Sequence, residues 1–378
     1  MRVLNVSVSL DMRKGGGYAE RTFQMTRFLT KRNISCSVLT FSLDLTKQRI
    51  EALAPAKVVA LNLISQRFNI PLTGWIKTFK LVREADIVHL MGHWYFINVM
   101  SYLAIRYYKK PYVVCPAGAL PLFGRSKFIK KVFNTVIGNA IVKNANGWIA
   151  VVEDERDHFV NYNISPKLVS VIPNGVCEED FPGGDDNAFR KKYGLSNAPI
   201  ILFMGRLNLI KGPDILLDAF IQSQQDLQGY QLVFAGPDEG LLEPLKATTE
   251  KHSLSDKVHF IGYLDSEDKA TAYRSAKLLV IPSRSEAMSI VALEAGICNT
   301  PVLLTDQCGL HEIKEVNPIL ECQVSADSIA ISMREILLTP ALLESVKQDW
   351  KALVSERYSW DSVIDHYLDL YKPIISSH

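Results

Sequence analysis

Short, almost purely apolar runs recur along the chain and alternate with longer amphipathic stretches. Runs of this kind, bounded by turn residues, are typical of parallel strands that helices cover on both faces. The first part of the chain predicts a helix over Tyr18–Lys31 and strands over Arg2–Val8, Ser37–Phe41, Lys57–Leu61, Asp86–Met91, Tyr112–Cys115, Trp148–Val152 and Leu168–Ile172. This pattern predicts an α/β domain built on a parallel sheet.

The same alternation restarts after a turn signal at Val171-Ile172-Pro173-Asn174-Gly175. It predicts five more strands, over Pro199–Met204, Gln231–Ala235, Val258–Ile261, Leu278–Ile281 and Val302–Leu304. A chain of 378 residues is also long enough for two domains. We therefore expect two doubly wound, Rossmann-like domains, over residues 1–174 and 175–359, facing a ligand-binding cleft.

Composition is ordinary for a soluble globular protein, with 48% hydrophobic and 22% charged residues. The six cysteines show no paired spacing, which predicts reduced thiols and a cytoplasmic chain. No stretch reaches the ~18 apolar residues of a membrane span. Neither does the polar alternation of the first residues predict a signal peptide.

Charge is divided unevenly along the chain. Residues 1–177 hold 24 Lys and Arg against 10 Asp and Glu, a net +14, and the remainder carries −12. Such asymmetry indicates an anionic partner for the first half. Basic and aromatic residues mix in three stretches, Trp75–Lys80, Arg106–Lys110 and Phe123–Phe133. Each predicts either an interfacial helix on an anionic membrane or a packed helix with a solvated basic face. No recognition module accompanies the charge, so nucleic acid is not the expected partner.

Two carboxylates, Glu286 and Glu294, stand eight residues apart. Glu286 follows a strand and a Pro-Ser-Arg-Ser loop, and Glu294 lies within a small apolar helix. A helix that starts near Met288 would place both on one face. The free amides around Met288–Ile290 would favour an anion or sugar hydroxyls. Solvated glutamates remain the alternative at this point.

Two cations, Arg206 and Lys211, flank a loop between a strand and a helix that starts near Pro213. Their position suits a diphosphate, although solvated side chains would fit as well. A second loop, Gly15-Gly16-Gly17, follows the first strand but lacks the dinucleotide-binding spacing. No metal-binding motif is evident, so the two cations would supply the charge and no metal is expected.

Seven short motifs, each weak by itself, follow one another along the chain. They are the glycine loop, Gly205-Arg206 with Lys211-Gly212, Ala235-Gly236, Phe260-Ile261-Gly262-Tyr263-Leu264, Pro282-Ser283 before Glu286, the Glu286–Glu294 spacing, and Thr300–Asp306. Together they resemble the retaining GT-B glycosyltransferases of glycosyltransferase family four, also described as glycosyl transferases group one. The likeness covers nearly the whole chain and is strongest over 200–313. The end of the chain, from Tyr358-Ser359-Trp360 onward, resembles the family helix that crosses back to the first domain, here 360–378.

The resemblance implies roles for individual residues. Glu286, Arg206 and Lys211 would form the catalytic set: Glu286 holds sugar hydroxyls, while the two cations bind the diphosphate. Glu294 would accept hydrogen bonds from the ribose. The implied donor-binding residues are Gly16, Gly17, Gly205, Gly236, Tyr263, Leu264, Ala287, Met288, Ser289, Ile290 and Glu294. On the acceptor or sugar side they are His93, Ala117 and Gly118.

This chain departs from the family pattern at two places. Ala117 stands where the family commonly has His or Arg, and Ala287 and Ser289 stand where glycines are usual. The first change removes a polar contact near the sugar, and the second narrows the donor pocket. His89 or His93 would partly replace the missing contact, or each is a core or capping histidine.

The expected function is retaining, metal-independent transfer of a sugar from a UDP- or GDP-sugar. The acceptor would be a glycan or lipid-linked molecule of polysaccharide, lipopolysaccharide or glycolipid synthesis. The enzyme would be cytoplasmic and peripheral at the inner face of the cell membrane. Two alternatives share the architecture: a nucleotide-sugar epimerase and a non-catalytic nucleotide-sugar-binding protein.

Overall fold

The computed structural model describes residues 1–11, 16–65, 70–71, 74–121 and 127–378. The chain folds into two compact units. Unit 1 comprises Met1–Gly175 and Trp360–His378, and unit 2 comprises Val176–Ser359. Each unit has its own parallel sheet with helices around it, so each is described by itself.

Unit 1 is built on a seven-stranded parallel sheet in the order β3-β2-β1-β6-β7-β8-β9, with a separate antiparallel pair, β4-β5. Its core strands are almost wholly apolar, as expected for a sheet covered on both faces. The strands are β1 (Arg2–Val6), β2 (Ser35–Phe41), β3 (Lys57–Leu61), β4 (Leu63–Ser65), β5 (Ile70–Pro71), β6 (Ile87–Met91), β7 (Tyr112–Cys115), β8 (Gly147–Ala150) and β9 (Val169–Val171).

Helices cover this sheet. They are α1 (Gly16–Lys31), α2 (Lys47–Glu51), α3 (Trp75–Glu84), α4 (Phe96–Tyr108), α5 (Lys127–Phe133) and α6 (Asn139–Lys143), with a π-helical turn over Asn134–Gly138 and 3₁₀ helices over Glu153–Tyr162 and Pro166–Leu168. Helix α1 buries Phe23, Phe28 and Leu29 on different sides, and Phe23 packs in a cluster with Val38 of β2.

Unit 2 has a six-stranded parallel sheet in the order β12-β11-β10-β13-β14-β15. Its strands are β10 (Ile200–Met204), β11 (Gln231–Ala235), β12 (Val258–Gly262), β13 (Ala276–Ile281), β14 (Val302–Thr305) and β15 (Glu321–Cys322). Its helices are α7 (Asp186–Tyr193), α8 (Pro213–Gln222), α9 (Leu242–Lys251), α10 (Ser266–Ser275), α11 (Ile290–Ile297), α12 (Ile313–Val316), α13 (Ala326–Leu338) and α14 (Pro340–Arg357), with 3₁₀ helices over Glu178–Asp180 and Pro318–Leu320.

The last helix, α15 (Trp360–Ser376), belongs to unit 1. The Trp360 ring stacks on Phe28 of α1 with 6.1 Å between ring centroids. The Tyr371 hydroxyl lies 2.6 Å from Nδ1 of the buried His89 in β6. These contacts anchor α15 to the sheet of unit 1.

A buried arginine holds the chain just before it leaves unit 1. The guanidinium of Arg21 donates to the carbonyl oxygens of Ile172 (2.6 Å) and Pro173 (2.8 Å) and to Oδ1 of Asn174 (2.9 Å). Arg21 is 1% exposed, so its charge is compensated by these oxygens. Residues 172–174 are thereby fixed to α1.

Every strand predicted from the sequence has a counterpart with bounds differing by at most two residues. This confirms the predicted parallel α/β organisation. Three strands were not predicted, β4, β5 and β15, each only two or three residues long. So short a segment shows no hydrophobic period, because its pairing depends on the neighbouring chain.

Candidate active site

The strand order of unit 2 creates a switch point between β10 and β13. The chain winds outward from β10 through β11 and β12 on one side and from β13 through β14 on the other. Loops that follow adjacent parallel strands meet at one edge, and ligands of doubly wound sheets bind at such a point. The loop after β10 carries Arg206 and Lys211, and the loop after β13 carries Glu286. The order of strands therefore brings two of the sequence motifs to one place.

The two loops are joined directly by Lys211 and Glu286. Their Nζ and Oε1 atoms lie 2.8 Å apart, and the side chains are 23% and 9% exposed. The hydroxyl of Ser283 donates to the same Oε1 atom. The amide of Glu286 donates to the carbonyl of Gln307 at 2.8 Å, so the backbone is fixed as well. Glu286 is thus a nearly buried carboxylate held by a cation and a hydroxyl.

The Lys211 loop is shaped by tight backbone packing. Gly212 adopts φ +69°, and a Cβ there would lie 2.1 Å from the carbonyl oxygen of Pro282. The amide of Lys211 donates to Oδ1 of Asn208 at 2.9 Å. Arg284, in the loop after β13, holds the Lys211 loop, since its guanidinium donates to the Leu209 carbonyl (2.6 Å) and forms an ion pair with Asp214. Lys211 is therefore presented by a rigid loop.

Arg206 has a different partner. Its Nη1 lies 3.1 Å from Oε1 of Glu239, in a pair whose side chains are 52% and 42% exposed. Asn208 donates to Oε2 of the same carboxylate at 2.7 Å. Desolvation alone would raise the pKa of Glu239, but the Asn208 hydrogen bond and the Arg206 charge outweigh it and lower that pKa. The structure pairs Arg206 with Glu239 at the surface.

Helix α11 begins at Ile290, two residues after Met288, near which it would have to start for Glu286 and Glu294 to share one face. Ser289 is its N-cap, and the Ser289 amide donates to the carbonyl of Cys308 at 3.0 Å, so this amide is already occupied. Within the described part of the chain, the buried Ser289 hydroxyl has no hydrogen-bond partner. Desolvation, followed by the nearby Glu286 charge, raises the pKa of the Cys308 thiol to about 12. The first turn of α11 thus offers backbone N–H groups and one hydroxyl.

Glu294 lies in the middle of α11 and is 7% exposed. The ammonium of Lys269 lies 2.7 Å from Oε1 and 2.6 Å from Oε2, and the Tyr273 hydroxyl donates to Oε2 at 2.6 Å. Lys269 and Tyr273 stand one turn apart on α10, so one face of that helix supplies both partners. Burial and the Glu294 charge raise the pKa of Tyr273 well above its ordinary value.

A pocket of about 180 Å³ lies where β11 and β12 end. Leu207, Gly236, Phe260 and Gly262 line it together with side chains from the start of α9. Gly236 is required here: its φ is +145°, and a Cβ would lie 1.8 Å from the carbonyl oxygen of Gly205. Beyond Gly262, Tyr263 is 44% exposed and Leu264 is buried. Three separate motifs therefore meet around one pocket.

In unit 1, β1, β6 and β7 are adjacent and parallel, so the loops that follow them lie at one edge. Gly16 opens α1 with φ +57°, and a Cβ there would meet open space; Gly17 is the second residue of α1. Gly15 lies outside the described residues. Ala117 and Gly118 adopt φ +44° and +82° after β7. The Tyr18 hydroxyl donates to the Ala117 carbonyl at 2.8 Å, which ties α1 to this turn.

His93 is 2% exposed. Its Nε2 lies 2.8 Å from Oδ1 of Asn134, and the imidazole packs edge-on against Trp94, Phe133 and Tyr162. Burial lowers the pKa of His93 to about 4 despite the Asn134 hydrogen bond, which raises it. This is the geometry of a core histidine, and its contact with a sugar stays a prediction.

The sequence analysis did not identify four side chains of the site as functional residues: Glu239, Lys269, Tyr273 and Ser283. Ser283 stands in a motif that was identified, but only the strand geometry shows that its hydroxyl reaches Glu286. Lys269 and Tyr273 stand four residues apart on α10, a spacing that indicates one helix face but not which partner it meets. Over the described ranges, no group of three or more His, Cys, Asp or Glu side chains has the placement of metal ligands.

Two family models match the chain. The model described as "Glycosyl transferases group 1" matches residues 185–352, and the model "Glycosyltransferase Family 4" matches residues 15–180. The chain is 33% identical over 250 residues to a D-inositol 3-phosphate glycosyltransferase of Streptomyces bingchenggensis, covering 62% of this chain and 55% of the relative. It is 32% identical over 221 residues to an uncharacterized glycosyltransferase of Methanocaldococcus jannaschii, covering 56% and 55%. The chain thus spans about half the length of the curated relatives it matches.

Solved structures match over the whole chain. The structure of Anabaena HepE in complex with UDP and glucose has a TM-score of 0.79 at 18% identity, covering 99% of this chain and all of that chain. WaaG, a glycosyltransferase involved in lipopolysaccharide biosynthesis, has a TM-score of 0.68 at 18% identity, covering 97% and 99%. With both family models matched in order and this fold, the chain belongs to the group 1 glycosyltransferases and has the GT-B fold.

Proposed function

We propose that the protein is a retaining glycosyltransferase that moves a sugar from a nucleotide diphosphate sugar to a glycan or lipid-linked acceptor. The observation that carries this proposal is the 2.8 Å ion pair between Lys211 and Glu286 at the switch point of unit 2. Membership of the family and the UDP and glucose seen with HepE support it. UDP- and GDP-sugars are the candidate donors.

Lys211 and Glu286 would bind different parts of the donor. An ammonium has three protons, and Glu286 takes one, so the others remain for oxygens of a diphosphate. The free lone pairs of the Glu286 carboxylate would accept hydrogen bonds from hydroxyls of the transferred sugar. Arg206 would leave Glu239 for the diphosphate, since a half-exposed pair is worth only about 0.2–1 kcal/mol. These two cations would supply charge that a metal ion supplies in other transferases, and we propose a metal-independent reaction.

The nucleoside would bind at the same edge of the unit 2 sheet, where β11 and β12 end. The pocket at Gly236 and Gly262 would receive the base, with Tyr263 and Leu264 beside it. Glu294 would accept hydrogen bonds from the ribose while Lys269 and Tyr273 hold it. The start of α11 at Ile290, with Ala287, Met288 and Ser289 just before it, would lie along the sugar and diphosphate, where helix amides favour anions.

The transfer would proceed on one face of the sugar. The bond from the anomeric carbon to the diphosphate oxygen breaks, and a bond to the acceptor oxygen forms on the same face. The acceptor proton passes to the departing phosphate oxygen, so configuration is retained without a protein base. Lys211 and Arg206 would stabilise the charge that develops on the diphosphate.

The acceptor would bind to unit 1, near Gly16, Gly17 and the turn at Ala117 and Gly118. An acceptor of polysaccharide, lipopolysaccharide or glycolipid synthesis is supported by the fold shared with WaaG. The net +14 of residues 1–177 supports action at an anionic membrane surface, with the enzyme peripheral on the cytoplasmic side.

Sugar transfer by Glu286→Ala and Arg206→Ala tests the site. We expect turnover to fall at least about a hundredfold in each, the order of loss seen when one preorganised hydrogen-bonding group is removed from an active site. Glu344→Ala is the matched control, because Glu344 is an exposed partner of Lys347 on α14 of the same unit. Near-normal turnover in both site variants would refute the assignment.

A thermal-shift panel of UDP- and GDP-sugars identifies the donor. A ligand present at ~100 Kd adds about 2.7 kcal/mol to the free energy of unfolding. Donor isomerisation without an acceptor would identify an epimerase instead. Donor binding with no turnover on any acceptor would identify a non-catalytic binding protein.

A further inference from the structure

The helical run from Lys127 to Lys143 exposes apolar side chains to solvent. Phe128 is 79% exposed, Ile129 58%, Val132 45% and Val136 73%. Phe128, Val132 and Val136 follow one another at spacings of four, which places them in one row along the helix, with Ile129 beside it. We call these four residues the apolar stripe. Soluble proteins rarely expose a contiguous row of this kind without a partner.

Cations border the apolar stripe. Lys127 and Lys131 each precede a stripe residue by one position, and both are exposed, so they form the adjoining row. Thr135 and Asn139 continue that row and are also exposed. An apolar row beside a basic and polar row is the pattern of a helix that lies in a membrane interface.

The surrounding chain is devoid of carboxylates. Between Asp86 and Glu153 the sequence has no Asp or Glu and eight Lys or Arg. A surface that bound an ordinary soluble protein would more often mix both signs of charge. An unbroken positive segment instead complements a surface of uniform negative charge.

Further exposed apolar side chains lie at the start of α3. The Trp94 ring packs on Phe133 at 5.7 Å, and two residues later Phe96 packs edge-on against Trp75 at 6.2 Å. The start of α3 therefore lies close to the segment that α5 contacts. Trp75 is 43% exposed and Ile76 is 87% exposed there, so α3 also presents apolar side chains to solvent.

We propose that the apolar stripe of unit 1 inserts into the interface of an anionic lipid bilayer, with Lys127 and Lys131 on the phosphate headgroups. No helix among the described ranges is long and apolar enough to cross a bilayer, whereas a helix lying flat buries such a stripe without crossing. The inference deepens the proposed function and rests on it for the lipid-linked acceptor. Vesicle binding is measured without sugar transfer, so a failure of this inference can be distinguished from a failure of the proposed function.

The test is co-sedimentation of the full chain with phosphatidylcholine vesicles, with and without phosphatidylglycerol. We expect binding to the anionic vesicles that weakens as salt is raised. The triple variant Phe128→Ser, Val132→Ser, Val136→Ser should bind at least about tenfold more weakly, with unchanged thermal unfolding because these side chains are exposed. Ile331→Ser is the matched control, since Ile331 is 56% exposed on α13 of unit 2.

A second pair of measurements separates charge from insertion. Lys127→Gln with Lys131→Gln should reduce the salt dependence while leaving some binding through the apolar stripe. Tryptophan emission of the wild type should shift to the blue on anionic vesicles, and Trp75→Phe should reduce that shift, because Trp75 is 43% exposed. Equal sedimentation of the wild type and the triple serine variant would overturn the proposal.

Two further outcomes also overturn it. If the wild-type protein does not co-sediment with anionic vesicles, unit 1 has no such docking surface. A wild type that is dimeric by light scattering, with a monomeric triple serine variant, would show that a second copy covers the apolar stripe. Donor turnover on a water-soluble acceptor should be unchanged in the triple variant, whichever result is obtained.

Discussion

The ammonium of Lys269 lies within 2.7 Å of both carboxylate oxygens of Glu294. Glu294 is 7% exposed, and a carboxylate in that setting needs compensation for its lost hydration. Lys269 supplies the charge and Tyr273 a hydrogen bond, which leaves lone pairs on the carboxylate for another donor. Lys269 thus acts on the proposed ribose site through Glu294.

Replacing Lys269 tests this relationship. We expect Lys269→Met to lower the free energy of unfolding by about 1–3 kcal/mol, since a buried acceptor loses its ionic partner. It should also reduce the preference for UDP over 2′-deoxy-UDP in calorimetric titrations, because Glu294 is no longer held for the ribose. Lys269→Arg should restore the preference. Lys351→Met is the control, since Lys351 lies 3.5 Å from Glu178 in an exposed pair. A destabilised variant with the full preference would show a purely structural role.

In the proposed site, Glu239 would compete with the donor for Arg206. Glu239→Gln removes the carboxylate charge but keeps an oxygen for the Asn208 amide. We expect the donor KM to fall by about 1.4- to 5-fold at low salt, the equivalent of ~0.2–1 kcal/mol for an exposed pair. The gain should vanish in the background Arg206→Ala. An unchanged KM in both backgrounds would show that Arg206 stays on Glu239 during binding.

Acid should destabilise unit 1 through His93. Its folded pKa is about 4, below the ordinary 6.5, so the unfolded chain takes up a proton first as pH falls. Stability is therefore complete above pH 6.5 and is lost between there and about pH 4. The slope is up to about 1.4 kcal/mol per pH unit for this group. Denaturant unfolding, followed by tryptophan fluorescence at a series of pH values, measures this slope.

His93→Gln is the matched variant for this prediction. Glutamine does not titrate in this range, so the free energy of unfolding of the variant should fall less steeply below pH 6.5. His89, whose pKa burial lowers to about 3, contributes in both proteins and cancels in the comparison. Identical slopes would show that His93 is not buried neutral.

Gly236 is expected to be intolerant of a side chain. Gly236→Ala would place a Cβ 1.8 Å from the Gly205 carbonyl oxygen, at φ +145°. The strained backbone alone costs about 1–3 kcal/mol, and the clash adds to it. Gly240→Ala is a matched control, because Gly240 has φ +105° and nothing within 4 Å of its Cβ. The unfolding temperature should fall further for Gly236→Ala than for Gly240→Ala. Equal decreases would contradict the predicted clash at Gly236.

Sequence periodicity predicted most of the fold, because buried parallel strands are apolar throughout and recur between helices. The bounds of Lys57–Leu61, Tyr112–Cys115 and Gln231–Ala235 match the structure at both ends. Local spacing left the start of α11 conditional, near Met288 if Glu286 and Glu294 were to share one face, and the helix begins at Ile290. The Ser289 amide instead donates to Cys308, a contact made nineteen residues away that no local pattern contains.

The chain by itself determined which chemical groups are present and in what order: the acids eight residues apart, the two cations of one loop, the glycines and the basic first half. These follow from local composition and spacing, which a sequence displays directly. Only the tertiary structure decided their partners. Lys211 meets Glu286, while Arg206 meets Glu239 and Glu294 meets Lys269, because strand order and helix packing bring together residues 25–75 positions apart.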